Sequence, residues 1–505
     1  MNQINFTRSC LFAFFLSALL AACGGSGGSI TVTANDSASS STSSPTTIVS
    51  NPVVVRDSTT SDFVGTWVMG SPTAEGVTFN VHSIDQAGLV AIDYGLTSLQ
   101  YTQQFQPAVL EIDKPLELRL QNLKPGTRYF YRLLFQSSIN KQWTATSEFE
   151  FQTAKLAGQS FMFAIQGDSH PERLKTQFDA DLYKRTLLRA AADKPDFYIL
   201  SGDDFSVDTL NPDTINAAQV RERYTLQRPY LNLIGRTSPL FLVNGNHEQA
   251  ARYLLNGTPN NVAVWAQNSR NSLYSQPAPD SFYTGNTEVI PYIGLLRNYF
   301  SWTWGDALFV VIDPYWESPI AVDNQFGGTT KRQSMWDVTH GNAQYAWLKS
   351  FTACWIPDME GSNNLSGILA NPKHKPSIPL WYMGCLSRLI DTAIDTSADN
   401  SSSIHGATHN NQNVFLGIVS GPEPQRTLLE NLLWKAGNKL NIPFVVIAGT
   451  PSKEQPNKLL EENKNAKLYA HLAAPALVSE IKRAEYIICR GGYTTLMELI
   501  PFEKK

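Results

Sequence analysis

At 505 residues, with 42% hydrophobic and 11% aromatic side chains, the chain has the composition of a globular protein and room for roughly two to four domains. A formal charge of −4 excludes the basic surplus that nucleic-acid binding needs, and no nucleic-acid partner is expected.

Residues 1–23, "MNQINFTRSCLFAFFLSALLAAC", start polar with Arg8, continue through an apolar run from Leu11 to Leu20 and end in small residues, the pattern of a secretory signal. Leu20-Ala21-Ala22-Cys23 resembles the bacterial lipobox, which implies Cys23 as a lipid anchor, the membrane as a partner and an exported protein of the bacterial cell envelope. Residues 24–60 are mostly Gly, Ser and Thr and are expected to be a flexible tether.

Over residues 61–153, "VTFNVHSI", "VAIDYG", "LELRLQNL", "RYFYRLLF" and "SEFEFQT" alternate apolar and polar residues between turns, which predicts an all-β sandwich. In "LQNLKPGTRYFYRL", Pro125-Gly126 makes a turn and Tyr129 is placed to hydrogen-bond back to that corner. The segment resembles a fibronectin type III domain of the sort that precedes purple-acid-phosphatase-like catalytic domains.

After Lys155 the pattern becomes strand–helix alternation. "SFMFAIQGDSH", "DFYILSGDD" and "PLFLVNGNHE" are buried strands, each ending in Gly plus ligand-type residues, where α/β sheets bind ligands. "FDADLYKRTLLRAAAD" has helical spacing, with Leu182, Leu187 and Leu188 read as one face. The loops carry Asp168, Asp203 and Asn246, 35 and then 43 residues apart. Together these loops resemble the calcineurin-like metallophosphoesterases, over residues 158–353.

That resemblance implies Asp168 and His170 as ligands of a first metal, Asp203 as a bridge, and Asn246 as a ligand of a second. The two ions would be Fe, Mn or Zn and the substrate a phosphoester. His247 is implied as the catalytic acid, and Glu248 is expected to orient its imidazole. Asp204 is either an acceptor behind the ligands or a solvated carboxylate. His340 is expected at the surface or cap of a following helix.

The family also uses imidazoles from a later His strand and a Gly-His-x-His turn. After residue 350 no Gly-His pair is followed by a second His. His374, His405, His409 and His471 do not follow an apolar strand in the required way. The expected site is therefore incomplete, with poor metal affinity and low activity.

From about residue 354 the pattern changes. Residues 354–409 resemble the inter-domain segment, and 410–505 the donor-binding domain, of a two-Rossmann glycosyltransferase related to the family 28 enzymes. Gly421, Gly491, Gly492, Thr494 and Thr495 would then hold a nucleotide-sugar diphosphate, or else the Gly clusters are turns packing a helix on a sheet. Of five Cys, residues 24–353 contain none and the last third contains Cys354, Cys385 and Cys489, as if two truncated genes were joined near residue 353. The expected fold class is multidomain: a β-sandwich, then α/β (a truncated four-layer metallophosphoesterase sandwich), then a partial Rossmann-like α/β domain. Two other readings are a nucleotide-sugar-binding glycosyltransferase fragment and a non-catalytic surface binding protein.

Overall fold

A computed structural model describes residues 61–174, 178–322, 325–328, 340–373, 375, 377–384, 387, 389, 414–420, 425–440, 442–450, 455 and 457–502. The signal, the tether and Cys23 lie outside the described residues. The chain divides into two compact units, Met1–Ser350 and Phe351–Lys505.

In the first unit the alternating segments form β1 (Thr66–Gly70), β2 (Val77–His82), β3 (Gly88–Gly95), β4 (Gln103–Leu110), β5 (Leu116–Leu120), β6 (Arg128–Ser137), β7 (Trp143–Ala145) and β8 (Phe149–Gln152). One sheet runs β4-β3-β6-β7, with β8 also on β6, and the other contains β5-β2-β1. Trp67, Phe79, Tyr131, Phe135 and Phe151 fill the core of this β-sandwich. The Tyr129 hydroxyl accepts the Lys124 N–H at 2.8 Å, so the corner bond is present with the phenol as acceptor.

The second sandwich sheet does not stop at β1. Three parallel strands, β9 (Phe163–Gln166), β10 (Phe197–Leu200) and β11 (Leu240–Leu242), extend it into one six-stranded sheet of order β5-β2-β1-β11-β10-β9. The join is a single parallel register, Gly70 opposite Leu240. One sheet of the sandwich is thus continuous with the parallel strands of the α/β layer.

Helices α1 (Ala180–Ala192), α2 (Ala217–Gly235) and α3 (Val262–Leu273) cover one face of that sheet. Two short strands, β12 (Thr284–Gly285) and β13 (Val289–Ile290), precede β14 (Gly294–Leu295), and then β15 (Phe300–Trp304) and β16 (Ala307–Val311) form a hairpin. β12, β15 and β16 make an antiparallel sheet. Strand alternation explains this layering. Tyr198, Leu200, Leu240 and Leu242 enter the helix-side core, while Phe197, Ile199 and Phe241 pack with Trp302, Trp304 and Phe309 on the other side. Trp302 stacks on Phe241 with ring centroids 4.0 Å apart. Helix α4 (Gly341–Leu348) touches the antiparallel sheet through Trp347, whose Nε1 donates to Thr284 Oγ1 at 3.1 Å.

Two sequence readings are corrected. At 100° per residue, Leu182 and Leu188 cannot share a face with Leu187. Leu187 is buried with Tyr183, Ala190 and Ala191 beside it, and the other two leucines are exposed. β2 alternates in sequence, yet all its residues are buried, because its polar face meets the helix layer. There Asn80 receives Arg228 Nη1 at 3.0 Å and His82 Nε2 lies 3.0 Å from Asp113.

In the second unit, β17 (Cys354–Ile356) and β18 (Leu380–Tyr382) pair in parallel. The larger sheet uses β19 (Phe415–Ile418), β20 (Phe444–Ile447), β21 (Leu459–Glu462), β22 (Ala466–Tyr469) and β23 (Tyr486–Cys489), in the order β21-β22-β20-β19-β23. All its pairings are parallel except β21 with β22. Helices α5 (Gln425–Lys439), α6 (Ala474–Arg483) and α7 (Tyr493–Leu499) alternate with these strands.

Candidate functional site

Because β9, β10 and β11 are adjacent and parallel, the loops leaving them converge at one sheet edge. Two glycines let these loops touch. A Cβ on Gly202 (φ +103°) would lie 2.7 Å from the Gly245 nitrogen, and one on Gly245 would collide with Asp203 Oδ1. Asp203 itself has φ +60°, a left-handed conformation that costs about 1–2 kcal/mol outside glycine. The His247 N–H, donating to Asp203 Oδ1 at 3.0 Å, helps to hold it there.

His170 and His247 face each other with ring centroids 5.0 Å apart and planes inclined at 75°. His170 Nε2 lies 3.8 Å from Asp168 Oδ2, and His247 Nε2 lies 3.9 Å from Asp203 Oδ2. Both separations exceed hydrogen-bond length.

The opposite ring nitrogens are anchored. His247 Nδ1 lies 2.7 Å from Asp208 Oδ2. His170 Nδ1 lies 2.5 Å from Ser206 Oγ and 3.2 Å from Glu172 Oε1. The assignment of Glu248 to orient His247 is therefore corrected: Asp208 does that. Glu248 is buried and spent on backbone, accepting from Asp204 N at 2.8 Å, Phe205 N at 3.2 Å and Gly245 N at 2.7 Å. Of the two readings of Asp204, the structure gives the buried acceptor, with Ser169 Oγ and Gln166 Nε2 each donating to Oδ1 at 2.7 Å.

The charges follow from burial and pairing. The facing imidazole of His170 holds the Asp168 carboxyl below the ordinary range. Burial opposes charge on His170, but Asp168 and Glu172 outweigh it and raise the pKa to about 9. Burial likewise opposes charge on His247, and the Asp208 hydrogen bond outweighs it in the upward direction. Burial raises Asp203, and pushes both Asp204 and Glu248 up to about 8.

Asn246 is half-buried in the third loop, where its carbonyl accepts from Gln249 Nε2 at 2.9 Å. His340 is the N-cap residue of α4, as the cap reading has it, but is buried rather than at the surface; its carbonyl accepts from Gln344 Nε2 at 3.2 Å. His471 belongs to the second unit, and His374, His405 and His409 lie outside the described residues. So do Gly421 and the Thr494 side chain. Gly491 and Gly492 are exposed just before α7, and a Cβ on Gly491 would meet nothing within 4 Å, so neither packs a helix on the sheet. Thr495 lies in the first turn of α7, and its Oγ1 would be 3.9 Å from a Cβ on Gly492.

Sequence reasoning missed Glu172, Ser206, Asp208 and Asp313. Asp313 is fully buried after β16 and receives Asn298 Nδ2 at 2.9 Å and Asn244 Nδ2 at 3.2 Å, which pins the residue before Gly245. A carboxylate closing a strand, as in "VVIDPYW", was the available signal for it. Asp208 was signalled only by standing five residues after Asp203.

Among the described residues no three His, Cys, Asp or Glu side chains form a ready metal-binding group. Asp168 and His170 approach each other at this edge, with Asp203 on the neighbouring loop, without completing such a group.

No family model and no curated protein matches the chain. Among solved structures, it is similar to "PhoD" at 13% identity and TM-score 0.39, covering 81% of this chain and 77% of that one. It is also similar to the purple acid phosphatase PPD1 of yellow lupin (Lupinus luteus) seeds at 14% identity and TM-score 0.33, covering 48% of this chain and 43% of that one. A human fibronectin type III domain matches 19% of the chain, with 75% of that domain covered, at 15% identity and TM-score 0.15. At such scores the chemistry of the side chains decides the reading.

Proposed function

We propose that the first unit is a metal-dependent phosphoester hydrolase of low turnover. The carrying observation is the paired geometry at one sheet edge, in which two imidazole Nε2 atoms face two carboxylates at 3.8 and 3.9 Å. Asp168, His170 and Asp203 would hold the ion, with Asn246 as a further ligand. An ion of Fe, Mn or Zn would supply water activation near neutral pH and charge neutralisation on the phosphoryl oxygens. His247 is the proton donor to the leaving oxygen, and Asp208 keeps it protonated and oriented. One ion in place of two removes half of the phosphoryl clamp, which supports the low turnover.

The test is hydrolysis of p-nitrophenyl phosphate and its diester by the full chain with Fe, Mn or Zn added singly. Ion-dependent turnover abolished by Asp203→Ala is the expected result. Turnover that survives chelation and that substitution would defeat the proposal.

Export and lipid attachment through Cys23 at the cell envelope belong to the same proposal and are supported by the leader sequence. A second reading concerns the second unit. Its parallel strands and the unpacked Gly491-Gly492 turn favour a nucleotide-sugar-binding, glycosyltransferase-like fragment. Calorimetry of the full chain with a UDP-sugar tests it, and absence of binding heat would discard it.

A further inference from the structure

Two glutamine amides join the first site loop to the second. Gln166 ends β9 opposite Leu200 of β10, and its carbonyl accepts from Ser201 N at 3.1 Å and Ser201 Oγ at 2.7 Å. Its side chain is held from behind and reaches forward. The Tyr183 and Tyr198 hydroxyls donate to Oε1 at 3.1 and 3.0 Å, and Nε2 donates to Asp204 Oδ1 at 2.7 Å. Gln227 of α2 is fully buried and spans both loops with one amide nitrogen. That nitrogen donates to Ser169 Oγ and to the Asp204 carbonyl, the latter at 2.8 Å. Ser169 Oγ closes the set on Asp204 Oδ1 at 2.7 Å.

We infer that Gln166 and Gln227 are positioning residues that set the separation of Asp168 and Asp203 by holding Ser169 against Asp204. This rests on the reading of Asp168 and Asp203 as the carboxylates of an ion site. Each half of the link stands beside one of them in the chain, since Ser169 follows Asp168 and Asp204 follows Asp203. A carboxamide suits the task because it carries two N–H donors and a carbonyl acceptor, so one side chain bonds several groups. The Asp204 carboxyl keeps acceptor capacity whether or not it is protonated, so the link does not depend on its charge. Both amides are anchored on regular elements. Two phenols pin Gln166, and Arg228, next to Gln227 in α2, bonds Thr66 Oγ1 and the Asn80 carbonyl. A metal ion tolerates errors of only about 0.2 Å in its donor distances, so a loosened link weakens binding before it unfolds the chain. Groups of this kind behind metal ligands carry about 10- to 100-fold in affinity.

The test titrates the full chain with Co²⁺, following its visible absorption bands, and measures the urea midpoint of the metal-free protein. Gln166→Met and Gln227→Met keep an unbranched side chain and remove the amide. Each should weaken Co²⁺ binding about 10- to 100-fold and change the Co²⁺ bands. Gln267→Met is the structural control. Gln267 is a buried amide of α3 that bonds Asn271 and the Leu296 carbonyl rather than the site loops. Its loss should lower the urea midpoint and leave Co²⁺ affinity and bands as in the native chain. If Gln166→Met and Gln227→Met behave like that control, the inference is overturned. Should neither fold, Ser169→Ala decides, because it removes only the oxygen that joins the loops. Weaker Co²⁺ binding is then the expected result, and native affinity overturns the inference while leaving the hydrolase proposal intact. A native chain that binds no Co²⁺ defeats both.

Discussion

At the scale of single residues, the two imidazoles differ in what stands behind the same nitrogen: Nδ1 of His247 lies against Asp208, and Nδ1 of His170 against Ser206 and Glu172. His247 has its Nδ1 on Asp208, so its acidity is set by that carboxylate. Replacing Asp208 by Asn removes the charge that raises the His247 pKa. The imidazole then deprotonates at lower pH, so the alkaline limb of the kcat profile should move down. The rate should fall roughly 10- to 100-fold, part of the 10²–10⁴ that a positioned proton donor contributes. A profile that keeps its alkaline limb would remove Asp208 from this role.

The buried acids give a second expectation. Glu248 is raised to about 8 in the folded state, above its ordinary value, so the folded chain holds a proton that the unfolded chain releases. Its contribution to stability is therefore present below pH about 4.5 and lost as pH rises towards 8. Asp204, also raised to about 8, adds the same sign. The urea midpoint of metal-free protein should fall across this range, with a shallower slope in Glu248→Gln. A midpoint that rises with pH would contradict the assignment.

At the scale of elements, the three site loops were legible because each follows an apolar strand and contains a Gly turn with a ligand-type residue. The sandwich was legible from its period of two. What the sequence did not reveal was direction. Asp208 and Glu248 are both acids near His247, and only the backbone decides that Glu248 turns inward to Gly245 and Asp204. The join between β1 and β11 rests on one register pair between segments far apart in the chain, which no local pattern announces. The face of α1 was misread because leucines were counted without their angular positions. The tightest element-level constraint is Gly245, whose missing Cβ leaves room for Asp203. Gly245→Ala should cost roughly 1–3 kcal/mol by overpacking and abolish ion binding, checked by urea unfolding and metal analysis. Retention of both would show that the loops can part without loss.

At the scale of the whole molecule, the first unit is tied across its layers by a buried cation. Arg228 on α2 donates through Nε to Thr66 Oγ1 at 2.9 Å and through Nη2 to the Asn80 carbonyl at 2.9 Å, and it also reaches the Leu273 carbonyl. Sandwich and α/β layer should unfold together, because one sheet and one guanidinium connect them. Arg228→Ala should cost roughly 2–4 kcal/mol by leaving those carbonyls unpaired, seen as a lower thermal midpoint of a single transition. Separate melting of the two layers in the native chain would argue against this coupling. The central claim remains that the loops after β9, β10 and β11 hold one catalytic ion. Metal analysis of the purified full chain after equilibration with Fe, Mn or Zn tests it most directly. One ion per chain, lost in Asp168→Ala and Asp203→Ala, is the expected result. Two ions per chain, or an ion retained without these carboxylates, would contradict it.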